Sequence, residues 1–124
     1  MLTVAATARS QITSYANFSA TEVQVAAPGG DEFTPIFSLT TLNVAKADYV
    51  GMAGTSMATP ATCGVAALVW AMDLSQTPLQ VKNILMQSGK PETSLQGKTV
   101  TGEQIDAKQA VQKFLDLKPA LAIN

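Results

Sequence analysis

The segment that most restricts how this chain can fold covers residues 55–72 and is apolar nearly all round. A surface helix shows a polar face on every turn, so a helix without one belongs inside a larger body of protein. The segment opens with Gly54-Thr55-Ser56-Met57-Ala58-Thr59-Pro60 and continues into an apolar run over 64–70, which predicts one long helix. Its proline is expected within the first turn, where a missing N–H costs little. A chain of 124 residues has little material with which to cover such a helix.

On either side the pattern changes period. Residues 2–7 are small, apolar and β-leaning and predict a strand; a turn-rich stretch over 8–21 then leads to a second short strand over 23–27. Pro28-Gly29-Gly30-Asp31 ends it with turn residues, and residues 31–48 read as loop and short strands. Thr77-Pro78-Leu79-Gln80 combines an N-cap threonine, a proline at the first helical position and a glutamine three residues after the cap. Val81, Ile84 and Leu85 form the stripe of that helix, and Gly89 with Pro91 is expected to stop it. Residues 91–103 suggest an irregular excursion or hairpin. Asp106 then caps a last amphipathic helix with the stripe Ala107, Ala110, Val111, Phe114 and Leu115, and Pro119 lies beyond it.

Composition narrows the function classes. With 47% hydrophobic residues the chain can build a core as one modest domain. A net charge of −1 with scattered basic residues gives no footprint for nucleic acid or an anionic membrane. No apolar run reaches the roughly 20 residues of a membrane span. The N-terminus lacks the regions of a signal peptide, so nothing in the chain is expected to export it. Cys63 is the one cysteine and has no partner for an internal disulfide, which leaves the compartment unassigned.

Ser56 sits where a helix begins. A serine hydroxyl is a weak nucleophile at neutral pH and needs a base, a sink for developing charge and an open path for substrate. The helix N-terminus supplies the sink, through its unpaired N–H groups and positive dipole end, with the Ser56 N–H as the natural donor. Gly54 leaves room for substrate or turn backbone to approach, and Thr55 offers a further hydroxyl. An ordinary Thr-Ser helix cap is the alternative reading of an isolated Gly-Thr-Ser. The base is missing: the chain contains no histidine.

Gly54-Thr55-Ser56-Met57-Ala58-Thr59-Pro60 strongly resembles the serine motif of subtilisin-like proteases, and the likeness extends along nearly the whole chain. Leu2-Thr3-Val4-Ala5-Ala6-Thr7, Ser14-Tyr15-Ala16-Asn17-Phe18-Ser19, Val25-Ala26-Ala27-Pro28-Gly29 and Gly102-Glu103-Gln104-Ile105-Asp106-Ala107 resemble further family segments in the same order. The resemblance implies the C-terminal portion of a three-layer α/β fold, with a mainly parallel sheet and a buried helix after the nucleophile. Residues 1–124 would then be a partial peptidase domain, hydrolysing peptide bonds through an acyl-enzyme. It also implies a secreted or extracytoplasmic setting. Of the triad only Ser56 carries over. The aspartate, the histidine and the oxyanion asparagine belong to preceding parts of the family's domain, which a complementary N-terminal segment would have to supply. Where many relatives have a histidine after the motif proline, this chain has Ala61.

Other bases fit poorly. Lys46 sits in a polar stretch and Lys82 on a later, surface helix, so neither suits a Ser-Lys pair. The sedolisins, which resemble this motif and use carboxylates, place them well before the serine; Glu22, Asp31, Glu32 and Asp48 do not match and read as solvated loop charges. Met57 is either a flank of the reacting centre, open to oxidation, or a packed helical side chain. Met52 lines the leaving-group side of the cleft or packs in the core. Cys63, on the same helical face as Ser56, is most simply a small buried side chain. Asp31 and Glu32 with nearby carbonyls suit a calcium site of the family's kind, but lack the spacing of a ligand motif; no metal and no cofactor is assigned. The competing class of function is a non-catalytic remnant that acts only by binding a partner chain.

Overall fold

The structure is a computed structural model and describes residues 1–40 and 48–118. Small residues decide its centre. β1 (Val4–Ala8) and β3 (Val25–Pro28) pair in parallel, with Ala5 opposite Ala26 and Ala6 opposite Ala27. All four alanines are fully buried, because side chains alternate across a strand and both faces are covered. Ala6 and Ala27 meet Ala16 and Ala58 on one face, whereas Ala5 and Ala26 meet Val23 and Leu95 on the other. Ala58 belongs to α1 (Thr55–Ala71), which therefore lies close on the sheet.

The sheet is mixed, not mainly parallel as expected. Its order is β2–β1–β3–β7–β6, where β2 is Gln11–Ile12, β6 is Lys90–Pro91 and β7 is Glu103–Gln104. β1–β3 and β3–β7 are parallel; β1–β2 and β6–β7 are antiparallel. β4 (Ile36–Thr40) and β5 (Asp48–Met52) form a separate antiparallel pair. The physical reason is connection length, since a parallel neighbour requires a long crossover and a short link returns the chain antiparallel. Between β1 and β2 stand only Arg9 and Ser10, both in left-handed conformation at φ 49° and 61°. Such a two-residue turn matches strand twist.

The second correction concerns α1. Ala58, Thr62 and Val69 are buried, but Leu68 and Trp70 remain 48% and 39% exposed. α2 (Pro78–Met86) and α3 (Ala107–Leu117) pack on the same side as the sheet, through a core of Val69, Val81, Ile84, Leu85, Ala110 and Phe114. Nothing among the described residues covers the opposite side. Cys63 is accordingly exposed rather than buried. Pro60 lies at the sixth helical position, past the first turn, and so leaves the Ser56 carbonyl without its i+4 donor.

Both expected caps form. The Thr77 hydroxyl accepts from the Gln80 N–H at 3.3 Å, while the Gln80 side chain accepts from the Thr77 N–H at 2.7 Å. Asp106 accepts from the Gln109 N–H at 2.9 Å, which holds its carboxyl below the usual range. At the far end of α1, Gln76 donates to the Val69 carbonyl at 3.0 Å, and Lys118 pairs with Asp73. Among the described residues, no helix is long and apolar enough to cross a membrane.

Candidate active site

A relay of backbone hydrogen bonds sets the start of α1. The Thr7 carbonyl at the end of β1 accepts from the Gly29 and Gly30 N–H groups at 2.8 and 3.2 Å. The Gly29 carbonyl accepts from the Gly54 N–H at 2.9 Å, and the Gly54 carbonyl accepts from Met57 and Ala58 at 3.0 and 3.3 Å. Tyr15 locks the turn by donating its hydroxyl to the Gly30 carbonyl at 2.6 Å. Gly29 is crowded: a Cβ there would stand 2.6 Å from the Ala6 Cβ and 2.7 Å from the Gly54 carbonyl oxygen. The Pro-Gly-Gly signal marked a turn in the sequence; it did not show that the turn anchors the helix. Tyr15 stood within a segment that resembles the family, but nothing in the sequence pointed to its bond with Gly30.

Gly54 is the N-cap of α1 and is extended. The position of its absent Cβ is open, with the Met57 sulfur and the Ser56 nitrogen each 3.7 Å away. Thr55 opens the helix and its carbonyl accepts from the Thr59 hydroxyl at 3.0 Å. Ser56 follows, exposed. Among the described residues no group bonds its hydroxyl, and none accepts the N–H of Thr55 or Ser56. Two unaccepted N–H groups at the positive end of a helix favour negative charge beside the Ser56 Oγ. Met57 is half-buried against Gly54. Met52, at the end of β5 opposite Ile36, is 51% exposed and is not a core residue.

The other candidates do not converge on Ser56. Lys82 donates to the Met1 carbonyl at 2.9 Å. Glu22 is exposed, in a turn held by Ser19. Lys46 and the side chain of Asp48 lie outside the described residues. Asp31 is more than a solvated charge. Its Oδ1 accepts from the Thr34 N–H at 2.7 Å, the Thr34 hydroxyl at 2.8 Å and the Phe33 N–H at 3.0 Å; its Oδ2 takes Arg9 at 2.6 Å. The Thr34 hydroxyl, with Arg9 and the two amides, lowers the Asp31 pKa to about 2 against some desolvation. Both oxygens thus hold the loop together, and the adjacent guanidinium disfavours a cation there. Among the described residues no three His, Cys, Asp or Glu side chains gather as a metal site. A cavity of about 760 Å³, lined by Arg9, Tyr15, Asp31, Glu32 and Phe33, borders Ala53, three residues before Ser56.

Comparison with known proteins places this arrangement. Residues 1–110 match the Subtilase family. Subtilisin-like protease 1 of Plasmodium vivax is 34% identical over 97 residues, and its counterpart in Plasmodium berghei (strain Anka) is 30% identical over 95. These matches take in 78% and 77% of this chain but only 14% of either relative. Among solved structures, a protease from Pseudoalteromonas arctica superposes with a TM-score of 0.80 at 26% identity, over 92% of this chain and 36% of that one. A cold-adapted subtilisin-like serine proteinase gives a TM-score of 0.69 at 29% identity, over 86% of this chain and 36% of its own. The chain thus spans little more than a third of these structural relatives. With the family match over most of its length and the fold shared, the chain belongs to the subtilase family of subtilisin-like serine proteases.

Proposed function

We propose that this chain is the nucleophile-bearing segment of a subtilisin-like serine endopeptidase and is inactive alone. The observation that carries this reading is Ser56, exposed with an unbonded hydroxyl and an unaccepted N–H at the start of α1 in a subtilase segment. With a complementary segment supplying aspartate, histidine and asparagine, Ser56 Oγ attacks the scissile carbonyl carbon while the imidazole takes its proton. The Ser56 N–H and the asparagine amide hold the oxyanion. The C–N bond then breaks, the amine leaves with the proton from the imidazolium, and water hydrolyses the acyl-enzyme. Gly54 and Thr55 border the substrate, and Met57 flanks the reacting centre. Substrates are peptides or proteins, and the setting is secreted or extracytoplasmic.

Mixing the chain with the purified family segment that carries those three residues tests the reading. Hydrolysis that appears on mixing and vanishes in Ser56→Ala is the expected result; stable binding without hydrolysis rejects it. A second reading, a remnant that only binds a partner chain, draws on the absence of any histidine from the sequence.

A further inference from the structure

Tyr15 holds the start of α1 from outside the core. Its ring is 42% exposed and forms part of the wall of the cavity that borders Ala53, so it adds little to the packed interior. Its hydroxyl nevertheless reaches across 15 positions to a buried turn and donates to the Gly30 carbonyl at 2.6 Å. The same oxygen would stand 3.2 Å from a Cβ at Gly29, so it sits against both glycines of the turn. Two consecutive glycines, one of them left-handed at φ 78°, make this the most pliable link of the relay that reaches Gly54. The residues beside Tyr15 are fixed independently. Thr13 donates its N–H and its hydroxyl to the Ala6 carbonyl at 3.1 and 3.2 Å, and the Ala16 N–H donates to the Thr13 carbonyl at 3.2 Å. Ala16 is buried in the cluster that holds Ala58, two residues past Ser56. Tyr15 thus projects from a stretch tied to β1 and aims its one polar atom at the turn that anchors α1.

We infer that Tyr15 is a positioning residue for Ser56. By holding the Gly30 carbonyl it fixes the Gly29–Gly30 turn, the Gly29 carbonyl holds the Gly54 N–H, and Gly54 caps the turn of helix that carries Ser56. The inference rests on the reading of Ser56 as the nucleophile. The Tyr15 hydroxyl is bonded to the turn and not to Ser56, so it acts by keeping the Ser56 hydroxyl and N–H in one orientation while charge develops. A shift of about 1 Å at a nucleophile costs up to about a hundredfold in rate, so slack in a glycine turn beneath it matters. Because the ring is partly exposed, water takes over the Gly30 carbonyl when the hydroxyl is absent. The fold then loses little, and the link from turn to ring is what disappears. A tyrosine that served stability alone would show the reverse, a weaker fold with an unaltered site.

Tyr15→Phe keeps the ring and removes the donor. In the 124-residue chain, hydrogen exchange of the Gly54 N–H, followed by NMR, is expected to quicken at least roughly tenfold relative to the Ala110 N–H. The Ala110 N–H bonds to the Asp106 carbonyl at 2.9 Å in α3 and is the reference for opening of the whole chain. In the complex with the complementary family segment, kcat is expected to fall at least roughly tenfold with KM within about twofold of the parent, because only the orientation of the nucleophile is lost. Thr77→Ala weakens a capping box that has no bond to the relay, and is the control. It is expected to leave the exchange ratio, kcat and KM as in the parent. An unchanged exchange ratio, an unchanged kcat, or a loss that Thr77→Ala reproduces would each overturn the inference. The two readings fail separately. If the parent complex hydrolyses no peptide, the reading of Ser56 as nucleophile falls, and the exchange ratio alone decides whether Tyr15 holds the cap. If the complex with Tyr15→Phe is as fast as the parent, that reading stands and the positioning role is rejected.

Discussion

The N–H of Gly54 donates to the carbonyl of Gly29 at 2.9 Å, so the turn after β3 holds the residue that caps the helix of Ser56. Ser56 is therefore placed by the sheet, through Thr7 and Gly29, and not by a free loop.

Gly29→Ala strikes this joint. The added methyl would stand 2.6 Å from the Ala6 Cβ and 2.7 Å from the Gly54 oxygen, and neither is the end of a flexible side chain. Overpacking of this kind costs about 1–3 kcal/mol, so the urea midpoint is expected to fall by a corresponding amount. An unchanged midpoint would show that the turn can move away from α1.

Thr77→Ala removes the hydroxyl of a complete capping box. Loss of about 1 kcal/mol is expected. Thr77→Ser keeps the acceptor and is expected to stay near the parent value in the same denaturation series.

Asp31 gives the loop over 31–34 an acid limit. Its carboxyl titrates at about 2 when folded, against an ordinary 3.8, so its contribution to stability is complete above the ordinary value and fades as pH falls through the folded one. Thr34→Ala removes the largest of the groups that lower this pKa and is expected to raise it toward the ordinary value. Carboxyl chemical shifts followed by NMR from pH 5 to pH 1.5, as a series of about seven points, check both the value and its cause.

Trp70 is the chain's one tryptophan and lies 39% exposed on the uncovered face. The isolated chain is expected to unfold broadly, to bind an apolar dye and to show Trp70 emission quenched by iodide. A sharp cooperative melt from a monomer with shielded Trp70 would contradict this.

Much of this molecule was legible because its signals are local. The capping box at Thr77 and the cap at Asp106 depend on residues three apart, and both form as read. The serine motif is likewise contiguous, so the position of Ser56 at the start of α1 followed directly. What could not be read depends on partners distant in sequence. Arg9 and Ser10 turn the chain without glycine or asparagine, held in part by the Arg9–Asp31 pair across 22 positions, so the turn-rich stretch over 8–21 did not show where the chain turns or that β2 pairs antiparallel with β1. The all-round apolarity of α1 was visible, but burial depends on what else is present, and here the sheet and the other helices cover one side alone.

The meeting of Ala6, Ala27 and Ala58 as bare methyls has a consequence for how such a site can change. Where large side chains fill an interlayer gap, rotamer changes can raise or tilt a helix by small steps. Here the layers rest on single carbon atoms with no torsion to adjust. The height of Ser56 above the sheet is thus a property of the main chain, and gradual tuning of its surroundings must come from the side that α1 leaves open.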